Sequence, residues 1–133
     1  MIWDLRICSA MTKAELRERF KQYAIAVARF VLKLPYNTVN KNYADQLNRS
    51  ASSAAANYSA ALRAKSPPDF INKFKIVEEE LDESLFFFEL TEAINPSFTK
   101  EIAVLSKEGN ELLSIIVSSL KTLRSKLEKN RKS

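Results

Sequence analysis

Residues 66–88 read SPPDFINKFKIVEEELDESLFFF, and the fold turns on how this stretch is read. Ser66 offers an oxygen to unbonded amides, Pro67 suits a first helical position that needs no N–H, and Asp69 sets a carboxylate near the positive end of a helix. From there Phe70, Phe74, Val77, Leu81, Leu85 and Phe88 recur at steps of three and four, the period of one helix face. After Pro68 nothing breaks the pattern until Asn95-Pro96. The stretch predicts a helix over about 67–94.

The same period extends to both sides. Thr12-Lys13-Ala14-Glu15 has the capping-box pattern and opens a stripe of Leu16, Phe20, Tyr23, Val27, Phe30 or Val31, and Leu34, which Pro35 stops. A second helix over about 40–65 carries Ala44, Leu47, Ala51, Ala54, Tyr58 and Ala61. Beyond Asn95-Pro96-Ser97 a fourth, over about 97–128, carries Ile102, Leu105, Gly109, Leu112, Ile116, Leu120, Leu123 and Leu127. Helices over about 12–34, 40–65, 67–94 and 97–128 with short connections predict an all-α chain, an antiparallel up-down-up-down four-helix bundle over 12–128. Residues 1–11 are expected to be a flexible extension, and 129–133 a basic C-terminal tail. One glycine and four prolines are too few for a multi-stranded sheet.

Composition removes much of enzymology. The 133 residues can bury a core without disulfide or metal. There is no histidine, which eliminates imidazole acid–base chemistry, Ser-His and Cys-His pairs and most zinc or di-iron ligand sets. The lone Cys8 excludes an internal disulfide and an Fe–S cluster, fits a reducing compartment, and reads as inert. The opening MIWDLRICSA lacks a signal-peptide pattern and no run approaches 18 apolar residues, so a cytoplasmic protein that does not enter a membrane is expected. Glu78 to Glu83 is the most acidic run. It reads as a solvated face, or as a partner for basic residues such as Arg49 or those of a neighbouring subunit. A carboxylate-only catalytic or metal site would need a second acidic cluster that the sequence lacks. The expectation is no enzyme, no cofactor and no metal.

Charge is segregated. Residues 1–65 hold 11 basic and 4 acidic residues, 66–96 hold 2 and 8, and 97–133 hold 8 and 4, for a net charge of +5. Candidate phosphate contacts are Arg17, Lys21, Arg29, Arg63, Lys121, Arg124 and Lys126; cations near the end of the last helix equally suit its negative pole. The helix-two run RSASSAAANYSAA puts small residues on every side. That permits packing on more than one face, although alanine is also simply the best helix former. Leu85 to Phe88 places aromatic groups around helix three, more apolar surface than one stripe hides, which points to self-association. Candidates for a subunit interface or polar packing are Arg49, Asn57, Tyr58, Ile76, Glu79, Glu83, Phe86 and Phe87.

The blocks Gln46 to Ser50, Ala56-Asn57-Tyr58, Arg63 to Ser66, Asp69 to Lys73 and Ile76 to Ser84 resemble the bacterial four-helix-bundle family known as intervening-sequence proteins, over about Thr12 to Leu123. Some of these are encoded inside inserts in large-subunit ribosomal RNA genes. The resemblance implies a homopentameric ring. A related branch, the accessory proteins of diversity-generating retroelements, forms basic pentameric barrels that bind a reverse transcriptase and nucleic acid. No catalytic residues carry over. The chain departs from the family pattern at Ala55, where glycine is usual, and in its milder net charge; many relatives begin at a position like Met11.

Together these features predict a non-enzymatic homo-oligomer, a pentamer by the resemblance, whose basic surface contacts RNA or a ribonucleoprotein. The alternative is a protein–protein adaptor or scaffold that binds no nucleic acid.

Overall fold

A computed structural model describes residues 11–132 of the chain; the expectations for residues 1–10, Cys8 included, and for Ser133 fall outside the described residues. The described chain is all-helical, with four α-helices and no strand: α1 (Lys13–Val31), α2 (Thr38–Ala61), α3 (Pro67–Ile94) and α4 (Thr99–Lys132). A 3-10 turn, Pro96–Phe98, leads into α4.

Side chains set the helix starts. Thr12 Oγ1 accepts from Glu15 N at 3.0 Å, Asn37 Oδ1 from Asn40 N at 2.8 Å, and Ser66 Oγ from Asp69 N at 3.2 Å. Each bond satisfies an amide that has no intrahelical partner.

The helix limits correct the sequence expectation at four places. α1 stops at Val31 rather than 34, because Lys33 N and Leu34 N turn back to Phe30 O and Val31 O in i→i−3 bonds ahead of Pro35, which disfavours helix in the residue before it. α2 begins at Thr38, where Asn37 can cap it, and ends at Ala61, with Arg63 N and Ala64 N bonded to Ala60 O and Ala61 O. α4 continues to Lys132, so residues 129–132 are helical rather than a tail; Lys129, Arg131 and Lys132 complement the carbonyl end of its dipole. At 34 residues α4 is about 51 Å long, against about 29 Å for the 19 residues of α1.

α2 packs on both α1 and α3, α4 packs chiefly on α3, and α1 meets α4 only sparsely. The buried core takes one stripe from each helix: Leu16, Phe20, Tyr23, Val27 and Phe30; Leu47, Ala51, Ala54, Tyr58 and Ala61; Phe70, Phe74, Val77, Leu81 and Phe88; and Ile102, Leu105, Leu112, Ile116, Leu120 and Leu123. Phe20 stacks on Tyr58 with ring centres 4.7 Å apart, and Phe70 and Phe74 lie 4.4 Å apart. Met11, placed by sequence in the flexible extension, packs partly buried against this core.

On α3 the core position falls to Ser84, and Leu85 is only half-buried. The reason is polar. Ser84 Oγ donates to Leu81 O at 2.8 Å and receives the Tyr23 hydroxyl at 2.9 Å, so a buried phenol finds its partner inside the core.

Burial pushes the Tyr23 hydroxyl up to about 12, and burial raises that of Tyr58 as well. Both are neutral in the native state. The stability this gives is full below pH 10, where the unfolded phenol also keeps its proton, and is lost as pH climbs toward 12 at about 1.4 kcal/mol per unit for each group. Tyr23→Phe is expected to blunt the alkaline loss, because it removes the hydroxyl that titrates, while Ser84 keeps its bond to Leu81 O. Urea unfolding at pH 8, 10 and 11.5 checks this; equal slopes for the two proteins would show that Tyr23 is not responsible.

Candidate interaction surfaces

Polar side chains that face inward are accounted for within the chain. Asn40 and Asn95, both buried, exchange two amide bonds of 2.9 and 2.8 Å, and their remaining N–H groups reach Pro35 O and Thr91 O. Among the described residues no group of three or more Cys, Asp or Glu side chains is placed to hold a metal. Among the same residues no helix is long and apolar enough to cross a membrane.

Of the interface candidates, Arg49 donates to Glu80 Oε2 at 3.0 Å and also to Glu83, joining α2 to α3 across an exposed seam. Arg49 therefore uses the third and fourth glutamates of the run Glu78 to Glu83, Glu80 and Glu83, and leaves Glu79 exposed. Asn57 donates to Ser53 O at 2.9 Å on its own helix. Tyr58 is fully buried and donates to Lys13 O at 3.3 Å. Ile76 and Phe87 are half-buried, and Phe87 lies 6.1 Å from Tyr43 of α2. Phe86 is the exposed aromatic of this set, at 54%.

The basic candidates separate into two places. Arg17 and Lys21 of α1 edge an open groove of about 420 Å³ whose walls are Ala24 and Ile25 of α1 and Ser52, Ala55, Ala56 and Ser59 of α2. Arg17 Nε donates to Ser59 Oγ at 3.0 Å, which fixes the guanidinium across the helix pair. Arg63 lies exposed in the turn that follows α2, and Arg29 lies exposed farther along α1. Small residues on α2 leave this groove open, which is what the run RSASSAAANYSAA does in three dimensions. Lys121 and Arg124 instead share a groove of about 440 Å³ between α3 and α4 with Glu78 and Glu128, so that cleft mixes both signs. Lys126 is exposed on another side of α4.

Sequence reading did not single out Arg19. It grips Glu108 through two bonds of 2.8 and 2.7 Å and approaches Glu111 at 3.4 Å, tying α1 to α4 where their packing is sparse. Lys33 pairs with Glu101 at the other end of the same seam. A basic residue on α1 with two acids three apart on α4 was the available signal.

No protein-family model and no curated protein matches the chain. Among solved structures it is similar to a protein of unknown function from the S23 ribosomal protein family of Bacteroides thetaiotaomicron VPI-5482. The two are 23% identical with a TM-score of 0.73, over 84% of this chain and 99% of that one. At that identity the likeness shows the fold alone: an all-helical domain of the same shape as an uncharacterised bacterial protein.

Proposed function

We propose that the chain is a non-enzymatic assembly protein, an antiparallel up-down-up-down four-helix bundle that associates into a cyclic homo-oligomer and offers a basic surface to RNA or a ribonucleoprotein in the cytoplasm. The antiparallel course is supported by pairs that join opposite helix ends: Tyr58 with Lys13, Asn95 with Asn40, and Glu101 with Lys33. Self-association rests on one observation above others. With the core stripes satisfied, Leu32, Phe86, Ile94 and Val104 are still 85%, 54%, 51% and 70% exposed. Single exposed apolar residues are ordinary, but several on one small domain favour a partner surface. Five copies, the ring size the family resemblance implies, would together carry about +25 and a far stronger field than one copy.

The adaptor reading draws on the mixed charge around Lys121 and Arg124, where Glu78 and Glu128 would weaken phosphate binding. One measurement separates the two. Light scattering on freshly purified protein at low salt is expected to give a multiple of 15.2 kDa, with a raised 260/280 nm absorbance ratio across the same peak. An assembled peak with a clean protein ratio would shift the function to the adaptor. A 15.2 kDa particle at every concentration would overturn the assembly reading.

A further inference from the structure

We propose that the outward face of α3 from one copy docks in the α1–α2 groove of the next. This rests on the assembly reading and names the two surfaces that meet. The outward line of α3 runs Glu79, Asp82, Phe86, Glu89, all exposed, at helical steps of three and four. Its aromatic is flanked by carboxylates that make no ion pair with any described residue, whereas Glu80 and Glu83, on the neighbouring line, are occupied by Arg49. An exposed ring between unpartnered acids is a surface that lacks a basic, apolar counterpart.

The chain supplies that counterpart itself. The groove has an apolar wall at Ile25, Ala55 and Ala56, with Lys21 and Arg17 on its edge. The two lines match in sign and in register. From Phe86, Asp82 and Glu79 lie one and two turns toward the helix start; from Ile25, Lys21 and Arg17 do the same. With Phe86 set over Ile25, Asp82 comes level with Lys21 and Glu79 with Arg17, and in the other direction Glu89 comes level with Arg29. The α3 line spans about 15 Å and the α1 line about 18 Å. The existing commitments of the cations are weak: Lys21 has an exposed contact of 3.6 Å to Glu18, and Arg17 a neutral hydroxyl at Ser59. Because face and groove are different surfaces, the contact is head-to-tail, the kind that propagates from copy to copy until it closes a ring.

Charge reversal tests the pairing. Arg17→Glu/Lys21→Glu/Arg29→Glu and Glu79→Lys/Asp82→Lys/Glu89→Lys are each expected to raise the concentration needed for assembly at least tenfold in light scattering. All six substitutions in one chain are expected to restore it, since reversed groove then meets reversed face. Helix content by circular dichroism is expected to be unchanged throughout, as all six side chains are exposed. Reversals that leave assembly intact, or a six-substitution variant that stays dissociated, would overturn the docking while leaving the assembly reading in place. A wild-type protein that is monomeric at every concentration would overturn both.

Discussion

Asn95→Leu is expected to lower stability by roughly 3 kcal/mol, a fall in Tm of roughly 10 °C for a domain of this size. The two buried amides of Asn40 and Asn95 form a closed reciprocal pair. Each Nδ2 gives one hydrogen to the opposite Oδ1 and the other to a backbone carbonyl, Pro35 O at 3.0 Å or Thr91 O at 2.9 Å. Every donor of the pair is therefore used. The cluster joins the loop before α2, the first turn of α2 and the end of α3, three points that no core stripe connects. Leucine at 95 strands the Asn40 oxygen and one of its N–H groups where Asn40 is only 2% exposed, and each orphan costs about 1–3 kcal/mol. The double variant Asn40→Leu/Asn95→Leu is expected to be more stable than Asn95→Leu alone, because it leaves no stranded side chain, though Pro35 O loses its side-chain donor and Thr91 O keeps only the backbone N–H of residue 95. Urea unfolding of the three proteins measures this. A double variant no better than the single would show that the penalty comes from packing rather than from unpaired amides.

That cluster marks the limit of what the sequence discloses. The stripes are legible because burial repeats with the helical period: the positions from Leu16 to Phe30 and from Ile102 to Leu123 need only spacing to be found. Caps are legible because they are local, as at Thr12 and Ser66. Asn40 and Asn95 are 55 residues apart, and each taken alone has an ordinary local reading, one as a helix start and the other as a break. Ser84 and Leu85 adjoin on the helix, and hydropathy favours leucine for the core; what reverses the choice is the phenol of Tyr23, 61 residues away. Among the four residues Leu85 to Phe88, spacing alone does not tell which aromatic ends outside. Phe86 does, because Phe87 turns toward Tyr43. The basic residues were legible as a list but not as a surface. Only the α1–α2 packing sets Arg17 and Lys21 along one groove and leaves Lys121 and Arg124 in another.

The chain's single glycine is expected to be nearly irreplaceable. Gly109 sits on the buried side of α4, where an added Cβ would lie 2.8 Å from the Tyr23 hydroxyl oxygen, 3.0 Å from Leu85 Cδ2 and 3.2 Å from Tyr23 Cζ. Two effects oppose each other in Gly109→Ala. Alanine gains about 1 kcal/mol in a helix interior by lowering backbone entropy in the unfolded chain. Overpacking costs about 1–3 kcal/mol when neighbours must move. The neighbour here is a stiff ring, buried and tethered through its hydroxyl to Ser84, so it yields poorly, and moving it breaks a hydrogen bond inside the core. The net expectation for Gly109→Ala is a loss of about 1–2 kcal/mol, and for Gly109→Leu a loss above about 3 kcal/mol, enough to push α4 off α3. Tyr23→Phe supplies the control. Without the hydroxyl the closest atom to the new Cβ is gone, so Gly109→Ala is expected to cost less in the Tyr23→Phe background than in the wild type. A double-mutant cycle by thermal unfolding gives the coupling. Additive losses would mean that α4 yields instead of the tyrosine, and that the space above Gly109 is set by Leu85 and the ring carbon rather than by the hydroxyl.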